Sequence, residues 1–303
     1  MKARIILSSA DFSANNIGRI VELTDLTKKV LARQTQYGED SDEAQALNTF
    51  LNTLVDNGFL GGDSPMLKTL VIPGLGANHG QLMYNIASLD QDGYPVNIMP
   101  SAEQEAVESK RVYRPILDPS NRIVAMLAYT DNGMVESDAG SQARFDPHIW
   151  DGAVNNQPVP SYSFVYFGHS SKNTMGESSV LSENGTQSWT NKRDISQIKS
   201  GSAVLASLSF GTQTGDGFRL MNYDVSGVMD GMIGSTEVTG EQGTAAIFTS
   251  TTKYSLFRIG TFVYNVDNQA ACSLFAFGNK IPSAKKSVLQ SAVSTFLTAI
   301  HAI

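Results

Sequence analysis

The first sixty residues alternate between strand-like and helix-like patterns of apolar and polar positions. "ARIILSS" and "IGRIVEL" read as two short strands separated by a polar segment. A short helix follows, which Thr24 or Asp25 caps and which runs through Arg33. The pattern therefore predicts a small α+β unit at the start of the chain.

A longer amphipathic helix is predicted to begin near Ser41 or Asp42 and to stop at Asn57 and Gly58. Its apolar residues recur at intervals of three and four: Ala44, Leu47, Leu51, Leu54 and Val55. This stripe is either a packing face within the domain or an oligomerisation or docking face, and the pattern alone does not decide between them.

From Met66 onward, short apolar runs separated by Gly, Asn, Asp, Ser and Pro indicate antiparallel strands. In "SAVLASLSF" the apolar face, formed by alternate residues, consists of Val204, Ala206, Leu208 and Phe210. The other predicted strands are "RIVAMLAYT", "SYSFVYFGH", "TAAIFTS", "YSLFRIGTFVYN" and "ACSLFAFG". The main domain is therefore expected to be β-rich.

The stretch "LVIPGLGANHGQLMYN" combines a β-branched run with Gly74, Gly76 and Gly80. A dinucleotide site needs glycines at fixed spacing, a following helix and an acidic residue at the end of a second strand. The third glycine comes one position late, and no strand–helix alternation follows. The stretch is interpreted as a strand that runs into a turn, without a nucleotide site.

One helix is predicted at the C-terminus, with Ser283 as its cap. Its apolar stripe consists of Val288, Leu289, Ala292, Val293, Phe296, Leu297 and Ile300. Gly and Pro in "GFLGGDSP" mark a boundary between an N-terminal module, residues 1–62, and the main domain, residues 63–303.

Composition and charge exclude several classes of function. The formal net charge is −7 and Lys and Arg are scattered, which excludes a basic nucleic-acid interface. No apolar run approaches the roughly 20 residues of a membrane span, so no membrane insertion is expected. Four separated histidines do not form a zinc site, and no cofactor or metal is expected. The single cysteine, Cys272, is interpreted as a buried strand residue.

Enzymatic activity is not expected, because the residue patterns of hydrolases are incomplete. Acidic residues at alternate positions occur at Asp40 with Asp42 and at Asp90 with Asp92, but both pairs lie in polar loop sequence. "GHSSKN" around His169 lacks a nucleophile elbow, so His169 is interpreted as the end of a strand.

Two ligand sites are considered in the β-rich part. The segment "GDGFRLMNYD" offers Asp216, Asn222 and Asp224 as calcium ligands, but a polar hairpin turn is the preferred interpretation. Sugar binding requires exposed aromatic rings beside polar donors, and the candidates in polar surroundings are Trp150, Trp189 and Tyr223.

A strand ending in Phe-x-x-Gly, a short loop and a C-terminal amphipathic helix, here "LFAFGNKIPSAKKSVLQSAVSTFLTAI", resembles concanavalin-like (laminin-G-like) jelly rolls of phage structural proteins. "LKTLVIPGLGANHGQLMYN" is similar to the opening strand and loop of such a domain. In organisation the chain resembles head-fibre and tail-fibre proteins of crAss-like phages. The fold class expected is mainly β, an antiparallel jelly-roll sandwich with a small α+β N-terminal module and a C-terminal helix.

The resemblance implies a virion structural protein, made in the host cytoplasm and attached to a phage head or tail through residues 1–62. Its expected partners are further copies of the chain, as a dimer or trimer, and capsid or tail proteins. The alternative function is a host-glycan-binding adhesin, with surface glycans as a further partner, and a carbohydrate-active enzyme is the third.

Overall fold

The computed structural model describes residues 21–98, 113–128, 143–145, 156–169, 178–181, 187–191, 195–200, 203–209, 217–247, 257–259 and 270–302. The helices of this part are α1 (Asp25–Arg33), α2 (Asp42–Asp56) and α3 (Ser283–Ala299). Its strands are β1 (Leu67–Val71), β2 (Tyr84–Leu89), β3 (Pro95–Asn97), β4 (Tyr113–Leu117), β5 (Ile123–Ala128), β6 (Ala143–Phe145), β7 (Tyr162–His169), β8 (Ser178–Leu181), β9 (Gln187–Asn191), β10 (Ile195–Ser200), β11 (Ala203–Ser209), β12 (Gly217–Tyr223), β13 (Val228–Ile233), β14 (Thr236–Gln242), β15 (Phe257–Ile259) and β16 (Ala270–Asn279). None of the described helices has the length and apolar character needed to cross a membrane.

The strands form two antiparallel sheets. Sheet A has the order β14-β13-β12-β7-β16-β1-β2-β3, with β5 also paired to β16 and β4 paired to β5. Sheet B has the order β11-β10-β9-β8-β15-β6. The predicted fold class, a mainly β antiparallel sandwich with a C-terminal helix, is confirmed.

Sheet A is the middle layer of three, because its central strands bury both faces. Along β7, Tyr162, Phe164 and Tyr166 belong to the hydrophobic cluster shared with sheet B. The alternate residues Val165 and Phe167 belong to a second cluster, which the three helices cover. The period-two alternation of a strand thus places sheet B on one face and the helices on the other.

The starts of α1 and α2 confirm the predicted caps. The Thr24 hydroxyl accepts a hydrogen bond from the Thr27 N–H, and the Ser41 hydroxyl accepts one from the Ala44 N–H. Each bond satisfies a backbone donor that the first helical turn leaves without an intrahelical partner. The two predicted N-terminal strands lie outside the described residues, except for the end of the second one at 21–23, which is not a strand.

The apolar stripe of α2 packs against the protein's own core. Ala44, Leu47, Leu51 and Leu54 are completely buried, and only Val55, at 44% exposure, faces solvent. The interpretation of this stripe as a docking face is therefore wrong, because sheet A and α3 already cover it.

Residues on both sides of the predicted boundary at 62 and 63 contribute to one hydrophobic cluster. Polar contacts also join the two parts. The Gln36 side-chain amide donates to the carbonyl oxygen of Ile123 at 2.7 Å, and its oxygen accepts from the Ile123 N–H at 2.7 Å. The Tyr37 hydroxyl donates to the carbonyl of Ile300 at the end of α3. The described residues before 63 thus share a hydrophobic core with sheet A and α3.

The C-terminal helix occurs where it was predicted, but its cap differs. Pro282 occupies the N-cap position, and the hydroxyl of Ser283 donates to the Glu237 carboxylate instead. The stripe residues that are buried are Leu289, Val293, Phe296, Leu297 and Ile300. Val288 and Ala292 are only half-buried, because they lie at the side of α3 that faces away from the sheet.

Most predicted strands are present, with two corrections. "GDGFRLMNYD" contains β12, a buried central strand of sheet A and not a polar hairpin turn. In "TAAIFTS" the described residues form one isolated bridge, between Ile247 and Pro158, and no strand. "LVIPGLGANHGQLMYN" contains the end of a strand followed by two 3-10 turns. This agrees with its interpretation as a strand that runs into a turn.

At one corner of the sandwich, β11 of sheet B lies close to β13 and β14 of sheet A. A Cβ atom added at Gly240 would lie 2.3 Å from the carbonyl oxygen of Ser207, and one at Gly243 would lie 2.2 Å from that of Leu205. The Thr244 N–H donates to the Leu205 carbonyl at 2.7 Å. Glycines therefore permit backbone contact at this corner of the sandwich.

Candidate functional site

The outer surface of α2 and α3 carries a groove with a volume of about 700 Å³. Small or apolar residues of both helices line it: Ala46, Thr49, Phe50, Thr53, Ser287, Val288, Ser291, Ala292, Thr295, Phe296 and Ala299. We call this surface the helical groove. No residue of its lining carries a charge.

Aromatic packing fixes the base of the helical groove. The rings of Phe50 and Phe296 stack with centroids 4.6 Å apart and planes 10° from parallel. Both residues are at most 3% exposed. Offset aromatic stacking adds to the burial energy of the rings and holds α2 against α3 at this point.

The side of α3 that lines the helical groove is a ridge of small residues. Ser287, Ser291, Thr295 and Ala299 follow at intervals of four, so they lie above one another along the helix. All four are exposed. A ridge of small side chains permits another helix to approach closely.

A cluster of charged residues joins α3 to sheet A beside the helical groove. Lys286 is 3% exposed, and its ammonium lies 2.5 Å from Asp230 and 3.3 Å from Glu237. Lys280 lies 2.8 Å from Asp224 and 3.6 Å from Asp230. Burying an ammonium group without partners costs several kcal/mol of desolvation free energy. The carboxylates offset this cost and so permit a lysine on the sheet-facing side of α3.

Hydrogen bonds in this cluster stabilise the ionised carboxylates. The bond from Lys280 holds the pKa of Asp224 well below its ordinary value, and two bonds from Ser226 act in the same direction. The bond from Ser283, followed by that from Lys286, lowers the pKa of Glu237. A carboxyl group whose pKa is lowered in the folded state stabilises the fold at every pH above its ordinary pKa. This contribution is lost as the pH falls through the lowered pKa.

The three aromatic residues considered for sugar binding do not form one site in the described structure. Trp150 lies outside the described residues. Trp189 lies in β9, where it pairs with Val180 and Ile198, and its side chain is outside the description. Tyr223 is completely buried in β12.

The burial of Tyr223 removes it as an exposed sugar-binding ring. Its ring packs against Tyr162 with centroids 5.6 Å apart, and its hydroxyl accepts a hydrogen bond from the Ala246 N–H at 2.8 Å. The expectation that Tyr223 offers an accessible face is therefore wrong.

The other residues considered for chemistry have structural roles. The side chain of Asn222 is fully engaged: its amide donates to Asp230 and to the Ile281 carbonyl, and its oxygen accepts from Ser163. Asp224 pairs with Lys280, and Asp216 lies outside the described residues. Within the described ranges, no group of three or more His, Cys, Asp and Glu side chains has the arrangement of a metal site.

Asp90, from the second carboxylate pair, organises a turn. Its carboxylate accepts hydrogen bonds from the N–H groups of Asp92 and Tyr94 and from Arg33, 3.0 Å away. The bond from Tyr94 is the main reason that the pKa of Asp90 is lowered. The interpretation of this pair as polar loop sequence is confirmed.

His169 and Cys272 also occur as predicted. His169 is the last residue of β7. Cys272 is buried in β16, and burial raises the pKa of its thiol to about 12. A buried neutral thiol is a packing residue and not a reactive one.

Comparisons with known proteins give no close relative. No family model matches the chain, and a search of curated proteins gives no match. A Trypanosoma rangeli sialidase matches by structure at 8% identity and a TM-score of 0.36, covering 83% of this chain and 39% of its own. The receptor-binding domain of botulinum neurotoxin D matches at 12% identity and 0.36, covering 62% of this chain and 54% of its own.

A Caenorhabditis elegans galectin matches at 7% identity and a TM-score of 0.26, covering 46% of this chain and 91% of its own. This chain spans 35 to 41% of the first three structures in the comparison. Scores of this size carry no argument about activity or ligand.

The sequence pattern did not indicate the helical groove. Its lining is mostly Ser, Thr and Ala, which are residues that an ordinary solvent-facing helix surface also contains. One signal was present: residues 45–55 and 287–303 contain no Asp, Glu, Lys or Arg. The outer faces of surface helices usually carry charges, so two helices with such long uncharged stretches mark an unusual surface.

Proposed function

We propose that the protein is a virion structural subunit that attaches through its helical face and displays its β-sandwich. The single observation that carries the proposal is the uncharged helical groove on the outer surface of α2 and α3. Uncharged grooves at the junction of two helices are suited to accept another protein element. The resemblance to fibre proteins of crAss-like phages supplies the setting of a virion.

The layer order supports attachment through this face. Helices α2 and α3 cover sheet A on one side, and sheet B lies on the other. A partner bound at the helical groove would therefore leave sheet B and its loops accessible. This arrangement suits a subunit that is anchored at one end and exposed at the other.

We expect Thr295→Glu to lower the number of copies of the chain in particles of the phage that encodes it by at least about tenfold. The reason is that desolvating a charge in an uncharged interface costs several kcal/mol. Thr298→Glu is the matched control, since Thr298 is also an exposed threonine of α3 but does not line the groove. Quantitative mass spectrometry of purified particles measures the copy number. Particles without the chain contradict the virion role, and equal copy numbers for both variants contradict attachment at the helical groove.

Carbohydrate binding by the exposed sandwich is the second candidate function. It rests on Trp150 and Trp189, since large aromatic rings are the side chains that stack on sugars. A glycan array probed with the full chain is expected to show bound glycans, and the signal should fall in Trp150→Ala and Trp189→Ala but not in Tyr223→Phe. A blank array at micromolar protein would contradict this candidate and leave attachment by the helical face in place.

A further inference from the structure

The helical groove is neutral in a protein whose charge is strongly unbalanced. The chain has a formal net charge of −7, yet the eleven lining residues carry none of it. Two copies of the chain therefore repel each other in most orientations. Contact between two helical grooves brings no charged lining residue of one copy against a like charge of the other.

The shape of the helical groove fits a helix pair. The small residues of α3 form one wall, and Ala46, Thr49 and Thr53 of α2 form the other. Ser291 and Thr295 are exposed and line the groove together with the stacked rings of Phe50 and Phe296. A two-fold axis near Ser291 would place the α3 ridge of each copy in the groove of the other, since both partners then use the same surface.

We propose that the occupant of the helical groove is the helical groove of a second copy, so that α2 and α3 of both copies form a four-helix layer. The proposal rests on the proposed function, because it names the partner at the same attachment face. A charged partner would find no opposite charge to pair with at this surface. A second helical groove is itself uncharged, so it buries no unpaired charge when it binds there.

The size of the surface sets the expected affinity. Helices α2 and α3 have 15 and 17 residues, which correspond to lengths of roughly 22 and 25 Å. Two such helices side by side present roughly 500 Å² to a partner, which is at the small end of specific interfaces. We therefore expect a reversible dimer with a Kd on the order of 10 μM.

Sedimentation velocity of the full chain tests the proposal. The protein concentration should run from about 1 to about 200 μM, a range that brackets the expected Kd. The wild-type protein should shift from monomer to dimer. Thr295→Glu should raise the Kd at least about tenfold, whereas Thr298→Glu should change it less than about twofold. A wild-type monomer throughout the range, or equal dimerisation of both variants, overturns the proposal.

A second variant protects the test against loss of folding. Thr49→Glu places a charge on the other wall of the groove at an exposed position of α2, and it should weaken the dimer to the same extent. Thermal unfolding of each variant shows whether it is folded. A folded Thr49→Glu protein that dimerises like the wild type overturns the proposal even if Thr295→Glu is unstable.

Failure of this proposal is distinguishable from failure of the proposed function. If the wild type is monomeric but Thr295→Glu still lowers the copy number in particles, the groove binds a different virion protein and not a second copy. If the wild type dimerises through the groove but particles lack the chain, the dimer stands and the virion role is wrong.

Discussion

A chain that begins at Pro65 should fail to fold into a soluble monomer. It lacks α1 and α2, and with them the completely buried side chains of Leu47, Leu51, Leu54 and Phe59. At about 2 kcal/mol for each buried side chain, these four and the contacts around them contribute roughly 10 kcal/mol, which equals the whole stability of a typical domain. Size-exclusion chromatography with light scattering, and a thermal unfolding scan, should show aggregates and no cooperative transition.

Two neighbouring substitutions in α2 provide the matched test in the full chain. Leu54→Asp buries a carboxylate in the core and should cost at least about 3 kcal/mol, whereas Val55→Asp, at a 44% exposed position, should cost less than about 1 kcal/mol. A monomeric, cooperatively unfolding chain from Pro65 would show instead that the sandwich and α3 fold without α1 and α2.

Gly278→Ala should destabilise the protein by about 3 kcal/mol or more. A Cβ atom at this position would lie 1.8 Å from the carbonyl oxygen of Met66 and 2.7 Å from the Cα atom of Leu67. These are backbone atoms of the segment that pairs with β16, so they cannot move aside without breaking the ladder. Urea unfolding should show a lower midpoint.

Gly38→Ala is the control for this substitution. A Cβ atom at Gly38 would contact nothing within 4 Å, so its urea midpoint should stay close to that of the wild type. If Gly278→Ala unfolds at the same urea concentration as Gly38→Ala, the close approach of β1 to β16 does not contribute to the free energy of unfolding. The glycine of the Phe-x-x-Gly strand end, at Phe275 to Gly278, is therefore expected to be a packing requirement.

The helices could be predicted because their signals are local. Thr24 and Ser41 satisfy backbone donors of the first turn within three residues, and the apolar periodicity of α2 needs no knowledge of the rest of the chain. The same pattern could not show what the stripe of α2 contacts. That depends on β16 and α3, which lie more than 200 residues away in sequence.

The sequence pattern predicts a turn at β12 because polar residues lie at the end of the strand and directly after it. Asn222 and Asp224 flank Tyr223 and gave the segment the composition of a loop. In the structure Asn222 bonds to Ser163, Asp230 and Ile281, and Asp224 bonds to Lys280. Buried polar residues that satisfy one another across strands resemble turn residues until their partners are known.

The candidate site was beyond prediction for a different reason. Candidate sites are predicted from aromatic and charged residues in a sequence. The helical groove, however, is built mainly from Ser, Thr and Ala around the two rings of Phe50 and Phe296. Its shape exists only when α2 and α3 lie side by side. Neither helix alone contains the groove.

The ion pairs of Lys286 have a consequence for binding. A slip of α3 by one turn would move the buried ammonium of Lys286 away from both of its carboxylate partners, Asp230 and Glu237. The charged cluster therefore fixes the register of α3 against sheet A. The walls of the helical groove are therefore held in place before any partner arrives. A partner that docks there meets a pre-organised surface, and little of its binding free energy is consumed in arranging the helices.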